Sequence, residues 1–264
     1  MAAADLQTGG DVSVSLKGVG KTFVSGVAAL DRFDLDLKPG EFVSLLGPSG
    51  CGKSTALRLI AGLMEPTRGT VSSPGVRPGG AHGRIGFVFQ EPTLMPWATV
   101  AANVCLPLTL RRFDGAAVQE RVAAALKQVG LDGFEHAYPR ELSGGMKMRV
   151  SIARALVTEP ALLLMDEPFA ALDEVTRFKL NDDLLALWRA VKRTVVFVTH
   201  SVFESVYLSE RIVVMTSRPG RVFTELKIDA PYPRDRFRTS ADYAALCRQV
   251  SDALADATAR GGGA

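Results

Sequence analysis

The chain has 264 residues, of which 47% are hydrophobic and 22% charged, and its formal net charge is +3. That length buries an ample core in one large or two small domains, and the composition is that of an ordinary globular protein rather than a disordered or fibrous one. So small a charge, with no basic block, argues against a nucleic-acid partner; Cys51, Cys105 and Cys247 are odd in number and unpatterned, which specifies neither a disulfide framework nor a zinc site.

Taken in chain order, residues 1–11 are small, polar and acidic. They read as a disordered lead-in without the basic-then-apolar layout of a signal peptide, and no apolar stretch reaches the roughly 18 residues of a membrane span. Residues 12–23 and 28–37 read as strands, and Lys38-Pro39-Gly40 as the turn after them. Residues 42–46, Phe-Val-Ser-Leu-Leu, then form a short apolar run that suits a buried strand.

The next eight residues are Gly47, Pro48, Ser49, Gly50, Cys51, Gly52, Lys53 and Ser54, followed by Thr55. They fit G-x-x-x-x-G-K-[ST], the phosphate-binding loop. Glycines let backbone N–H groups close around a β-phosphate, where a side chain would block the approach. Lys53 offers a point charge to the β/γ-oxygens and Ser54 a hydroxyl ligand for Mg²⁺. Leu57, Ile60 and Ala61 recur at helical spacing, so a helix N-terminus faces the same anion. Cys51 reads as a small space-filler. The expectation is one nucleoside triphosphate per chain.

Further along, residues 65–83 are rich in Gly and Pro and read as a hairpin and surface loop, and residues 84–89 as a strand. The character changes after residue 92. A Pro96-Trp97 turn comes first, and Val118, Val122, Leu126 and Val129 mark an amphipathic helix. Residues 147–157 are helical, and 161–165 and 195–199 are apolar runs suited to strands covered on both faces. Leu180, Leu184, Leu187, Trp188 and Val191 make a helix stripe between them. This alternation predicts an α/β fold with a mostly parallel sheet, interrupted by a helical insert.

Two further constellations carry chemistry. Asp166-Glu167 follows the apolar run ending at Met165: a carboxylate there is placed to hold Mg²⁺, and its neighbour to polarise an attacking water. Leu142-Ser143-Gly144-Gly145-Met146 opens the 147–157 helix and forms a second anion-binding tip. A second phosphate site, when one triphosphate needs only one, suggests a nucleotide shared between two copies.

On these residues the chain resembles the ATP-binding subunits of ABC transporters, from about residue 12 to the tail. Leu142–Met146 matches the signature motif, with Met146 where Gln is commonest. Gln90 matches the Q-loop glutamine, Ala171-Leu172-Asp173 the D-loop and His200 the switch histidine. Phe23 falls where an aromatic stacks on adenine. A departure follows the signature, where Met148-Arg149 replaces the frequent Gln-Arg.

The resemblance implies a P-loop NTPase fold with a parallel core sheet, an antiparallel β-subdomain and an inserted helical subdomain at about 92–145, the whole ATPase domain spanning 12–230. It implies ATP and Mg²⁺ as ligands, with Ser54, Gln90 and Asp166 around the metal. Glu167, His200 and Gln90 would be catalytic, and Leu142–Met146 and Asp173 would act across a homodimer. Integral-membrane permease subunits are implied as partners, an extracytoplasmic solute-binding protein indirectly, and no nucleic acid. The expected location is peripheral, on the cytoplasmic face of the inner membrane.

The stretch from Gln90 to Val104, with Met95-Pro96-Trp97 as an exposed permease-facing knob, is similar to importers of nitrate, taurine and aliphatic sulfonates. The transported solute itself stays open, since this type of subunit does not touch it. Ser217-Arg-Pro-Gly-Arg-Val222 and Pro233-Arg-Asp-Arg236 resemble the ends of the same subgroup. In the tail at 231–264, Thr239 and Asp242 are expected to cap a final amphipathic helix carrying Tyr243, Leu246, Val250 and Leu254.

Overall fold

The computed structural model describes residues 14–73, 85–113, 115–234 and 236–261. The lead-in expected at 1–11, residues 74–83 of the Gly/Pro-rich stretch and the glycines after 261 lie outside the described residues. In chain order the elements are β1 (Val14–Thr22), β2 (Ala28–Leu37), β3 (Phe42–Leu46), α1 (Lys53–Ile60), β4 (Arg68–Ser72), β5 (Ile85–Val88), α2 (Val100–Leu110), α3 (Ala116–Gln128), α4 (Gly144–Leu156), β6 (Leu162–Asp166), α5 (Glu174–Val191), β7 (Thr194–Thr199), α6 (Val202–Leu208), β8 (Arg211–Met215), β9 (Val222–Lys227) and α7 (Ala241–Gly261).

Six strands form a sheet in the order β5-β6-β7-β3-β8-β9. The first five are mutually parallel and β9 closes the edge antiparallel to β8. Their sequences explain the arrangement. Along each central strand successive residues feed opposite cores, as the two-residue period of a strand requires. Phe42, Leu46, Leu163, Met165, Val195, Phe197, Ile212 and Val214 face the core that holds α2 to α7. Val43, Leu45, Leu162, Leu164, Val196, Val198, Val213 and Met215 face the core shared by α1 and the smaller sheet. These strands are almost continuously apolar because both faces are covered; Ser44, the polar exception in β3, is hydrogen-bonded to Ser209.

The smaller sheet, β2-β1-β4, is antiparallel. Of the hairpin expected at 65–83, the described part is β4, which pairs with β1 (Lys17 opposite Thr70). The α/β architecture, its parallel core, its antiparallel subdomain and its helical insert agree with the expected class.

Local departures have simple causes. On α3 the stripe Val118, Val122, Leu126 and Val129 is buried as its spacing requires. On α5 Leu180, Leu184 and Trp188 are buried, but Val191 is 44% exposed and Leu185 takes an inward place instead. Val191 is the last helical residue, before Lys192 turns the chain in a left-handed conformation (φ 52°). The α7 cap is Ser240, whose Oγ accepts from Tyr243 N at 3.1 Å, not Thr239, whose hydroxyl donates to Arg236 O. A 3-10 turn at Phe237–Thr239 moves the helix start one residue on. Met148 is 2% exposed within the larger core, which accounts for an apolar residue where a polar one is frequent.

The segment after residue 230 is fastened by a buried cation. Arg234 is 1% exposed. Its guanidinium donates to the carbonyls of Val206, Tyr207 and Ser209, which close the end of α6, and to Ala230 O. It also lies 4.3 Å from the Tyr232 ring centre. A helix end buried without partners would leave its last carbonyls unpaired. Arg234→Met keeps the apolar length but strands those carbonyls, and should cost about 3 kcal/mol. A urea unfolding midpoint equal to that of the parent chain would contradict this.

Candidate functional site

The site lies at the carboxyl ends of the parallel strands, where an open α/β sheet offers a crevice. Strand register places the candidates side by side. Leu46, before the glycine loop, pairs with Thr199, before His200; Val198 pairs with Asp166; Met165 pairs with Val88, two residues before Gln90.

The loop at 47–52 wraps the first turn of α1. Gly52 holds φ 106° and caps that helix, and a Cβ on it would lie 2.7 Å from Ala29 O. Neither the backbone angle nor the space admits a side chain. Cys51 is buried, and burial raises its thiol pKa, in keeping with a packing role.

Lys53 is 4% exposed. Its ammonium donates to Gly47 O at 2.8 Å and Pro48 O at 3.0 Å, with Glu167 Oε1 at 3.9 Å. A buried cation held mainly by neutral carbonyls is suited to an anion, since carbonyl dipoles offset only part of its charge.

Ser54 Oγ donates to Asp166 Oδ1 at 2.9 Å. A hydroxyl and one carboxylate are hard oxygen donors of the kind Mg²⁺ takes when phosphates and waters complete its shell. These residues therefore fit the ion. Asp166 is half-buried, and burial, reinforced by the Glu167 charge, raises its pKa despite the Ser54 hydrogen bond. A cation beside it would relieve that cost.

Glu167 adopts a left-handed backbone conformation (φ 46°), uncommon for a residue with a Cβ. Its N–H donates to Val198 O at 3.0 Å, which ties β6 to β7 at this point. Its Oε2 lies 3.2 Å from His200 Nδ1. The turn carrying His200 is locked in its own right: Ser201 N donates to Thr199 Oγ1 at 3.0 Å, Thr199 donates to the buried Glu204, and Ser201 Oγ caps α6.

A cleft of about 330 Å³ lies over these groups, its wall including Phe23, Gly50, Gly52, Lys53, Ser54, Thr55 and Glu167. Phe23, at the β1–β2 hairpin, is 37% exposed. Gln90 follows β5 on the same edge, one strand beyond Asp166, and is exposed; among the described residues the hydrogen bond at Ser54 and Asp166 is the one between them.

Ser143, Gly144 and Asp173 are likewise exposed and absent from that wall. Ser143 Oγ caps α4 by accepting from Met146 N at 3.3 Å, and Asp173 caps α5 by accepting from Thr176 N at 2.9 Å. Leu142 is buried and Met146 half-buried behind this tip. A Cβ on Gly145 would lie 2.6 Å from Thr176 Cγ2, whereas one on Gly144 would meet only Leu172 Cδ2, at 3.5 Å. Close packing inside the chain thus demands the second glycine but not the first.

Trp97 is 77% exposed, beside an exposed Pro96 and a half-buried Met95. Two residues that the sequence reading passed over hold this knob rigid. Asn103, fully buried, accepts from Met95 N at 2.8 Å and donates to the carbonyls of Met95, Ala98 and Thr99. Arg154 donates to Pro92 O, Thr93 O and Thr93 Oγ1. Only a signal such as an Asn buried mid-helix, with four hydrogen-bonding sites to satisfy, could have pointed to the first.

Comparison with known proteins agrees with this geometry. The ABC transporter profile matches residues 30–170. An uncharacterised ABC transporter ATP-binding protein of Methanocaldococcus jannaschii is 50% identical over 233 residues, 87% of this chain and 85% of that protein. This chain belongs to the ABC transporter family. The aliphatic sulfonates import ATP-binding protein of Bacillus licheniformis is 45% identical over 228 residues, 85% of this chain and 88% of its own length. Among solved structures, an ATP-binding cassette dimer in a post-hydrolysis state with ADP and Pi superposes with a TM-score of 0.72 at 37% identity, over 83% of this chain and all of that one. A cassette from Clostridium perfringens, part of an ABC transporter complex, gives 0.75 at 27% identity, over 86% and 91%. No helix among the described residues is long and apolar enough to cross a membrane.

The raised Asp166 pKa makes a prediction about stability. Below the ordinary Asp range both folded and unfolded chains carry the proton and no penalty arises. As pH rises through the interval up to the raised value, the unfolded chain ionises first and folding is penalised, fully so above it. Asp166→Asn, which still accepts from Ser54, should therefore raise the thermal midpoint at pH 7 without nucleotide or metal. The gain should vanish in acid, and a midpoint lowered at pH 7 would contradict the stated cause.

Proposed function

We propose that this chain is the ATP-hydrolysing subunit of an ABC importer, working as a homodimer on separate permease subunits. The observation that carries the reading is the convergence of Lys53, Ser54, Asp166, Glu167 and His200 on one sheet edge, within a chain of hydrogen bonds and ion contacts.

In this reading Phe23 stacks on adenine, the N–H groups of residues 47–55 surround the phosphates, and Lys53 exchanges its carbonyl partners for β/γ-oxygens. Ser54 and Asp166, with Gln90 approaching when the nucleotide is bound, would hold Mg²⁺, which would supply neutralisation of the phosphate charge. Glu167 accepts a proton from the attacking water, and its contact with His200 orients the carboxylate. His200 then hydrogen-bonds the γ-phosphate as its charge redistributes.

The signature residues act in trans. Ser143 and Gly144 stand exposed at the N-terminus of α4, outside the cleft of their own chain, and Gly144 is bare where internal packing does not require it. A helix tip with these features suits the γ-phosphate of a second copy, with Asp173 near the same interface. Loss of the γ-phosphate would then separate the two copies, and Gln90 together with the braced Met95-Pro96-Trp97 knob would convey that rigid-body movement to the permease.

The Bacillus relatives, aliphatic sulfonates import ATP-binding proteins, support an aliphatic sulfonate or a related small anion such as taurine or nitrate as the solute. An extracytoplasmic solute-binding protein would deliver it, and the chain would sit peripherally on the cytoplasmic face of the inner membrane.

Two substitutions test the reading. Glu167→Gln should retain ATP binding while turnover falls about a hundredfold or more, the scale of losing one preorganised charged group (~3–4 kcal/mol); phosphate release at the parental rate would remove Glu167 from its role. Ser143→Arg fills the helix tip, and a sizing column should then show no ATP-induced dimer. Dimerisation of that variant to the parental extent would end the shared-site reading.

A further inference from the structure

The loop between β8 and β9, residues 216–221, carries the Ser-Arg-Pro-Gly-Arg run that the catalytic reading leaves without a task. It is bolted to the nucleotide side of the fold. Gly220 N donates to Ala29 O at 2.9 Å, and Asp31 N donates to Gly220 O at 3.1 Å. Within the loop, Thr216 N donates to Arg221 O at 3.0 Å and Thr216 Oγ1 to Pro219 O at 3.1 Å. Gly220 lies so close to the phosphate loop that a Cβ on it would fall 2.1 Å from Cys51 O. The loop is therefore a fixed arm pressed against residues 50–52.

Arg218 projects from this arm into the cleft and forms part of its wall, together with Phe23, Lys53 and Ser54. Its Nε donates to Gly50 O at 3.1 Å, and a Cβ on Gly50 would lie 3.0 Å from its Nη2. Arg32, Arg68 and Arg221 each lie within ion-pair distance of the Asp31 carboxylate. Arg218 has no carboxylate within ion-pair distance among the described residues. An exposed guanidinium held at a phosphate loop by a single neutral carbonyl keeps its other N–H groups for an anion, and its planar fork suits phosphate oxygens.

We propose that Arg218 is a binding residue for the nucleotide's phosphate chain, a second cation beside Lys53 supplied by the β8–β9 arm. The proposal rests on the ATP-binding reading above and adds to it a contact from outside the phosphate loop. It also gives the arm a function: nucleotide drawn against Arg218 ties the phosphate loop to the strand pair at the sheet edge.

The test is calorimetric titration of the full chain with ATP in chelator, so that Mg²⁺ plays no part, at low and at high salt. The variant is Arg218→Gln, whose amide can still donate to Gly50 O but carries no charge. Expected at low salt is a rise in Kd of about five- to tenfold, the scale of one exposed charge-assisted contact, with Arg218→Lys between the variant and the parent. In about 1 M salt the Debye length falls to roughly 3 Å, and the difference should shrink to about twofold or less. The thermal midpoint of the nucleotide-free variant should equal the parent's, because only a surface side chain changes. Equal affinities of parent and Arg218→Gln at low salt would overturn the proposal while leaving the ATP reading intact. A loss that persists undiminished in high salt would also overturn it, since that would mark a brace for the loop rather than a charge contact. Failure of the parent chain itself to bind ATP would overturn both.

Discussion

A polyphosphate leaves water only where fixed donors and cations replace its hydration, and the rest of this fold follows from that requirement. Backbone N–H groups can surround an anion only if the chain turns tightly with no side chain in the way. Here Gly52, at φ 106° against Ala29 O, makes the turn. Lys53 must be buried to act at full strength, and the carbonyls of Gly47 and Pro48 hold it until an anion competes. Both conditions depend on β3 being rigid, which its neighbours β7 and β8 on either side ensure.

Parallel pairing then does the assembly. With every central strand running the same way, their carboxyl ends share one edge, and each contributes one functional turn. Because β7 lies between β3 and β6, the switch turn at His200 falls between the phosphate loop and the carboxylate pair. Glu167 reaches His200 by taking a left-handed backbone angle. Unusual backbone angles of this kind persist where surrounding structure over-determines them, and the Glu167 N–H to Val198 O bond across strands is one such constraint. Supports lie farther out as well. Arg234 closes the end of α6, the helix that begins just after the His200 turn, while Asn103 and Arg154 stiffen the Trp97 knob.

Much of this was legible beforehand where the chemistry is local. The glycine loop, the Asp166-Glu167 pair and the Ser143 cap each occupy consecutive residues, so their patterns survive without tertiary information. Buried strands showed as continuous apolar runs, and the α3 stripe by its period. Elements whose signal is not local escaped: β8 and β9 were not assigned, Val191 was placed inward though the helix ends there, and Ser240 rather than Thr239 proved to be the α7 cap. The bracing roles of Asn103, Arg154 and Arg234 escaped for the same reason, because their partners are mostly backbone groups that any residue could supply.

The amino-acid order alone settled which chemistry this chain is equipped for, since a phosphate cradle is a property of one short backbone turn and the residue types within it. Folding in three dimensions decided the rest. The order β6-β7-β3 makes three distant turns into one site, the helix tip at Ser143 and Gly144 stands exposed outside the cleft, and the β8–β9 arm lies against the loop with Arg218 in the cleft. These outcomes depend on which strand pairs with which, and pairing partners are chosen by the burial of whole faces rather than by any short run of residues.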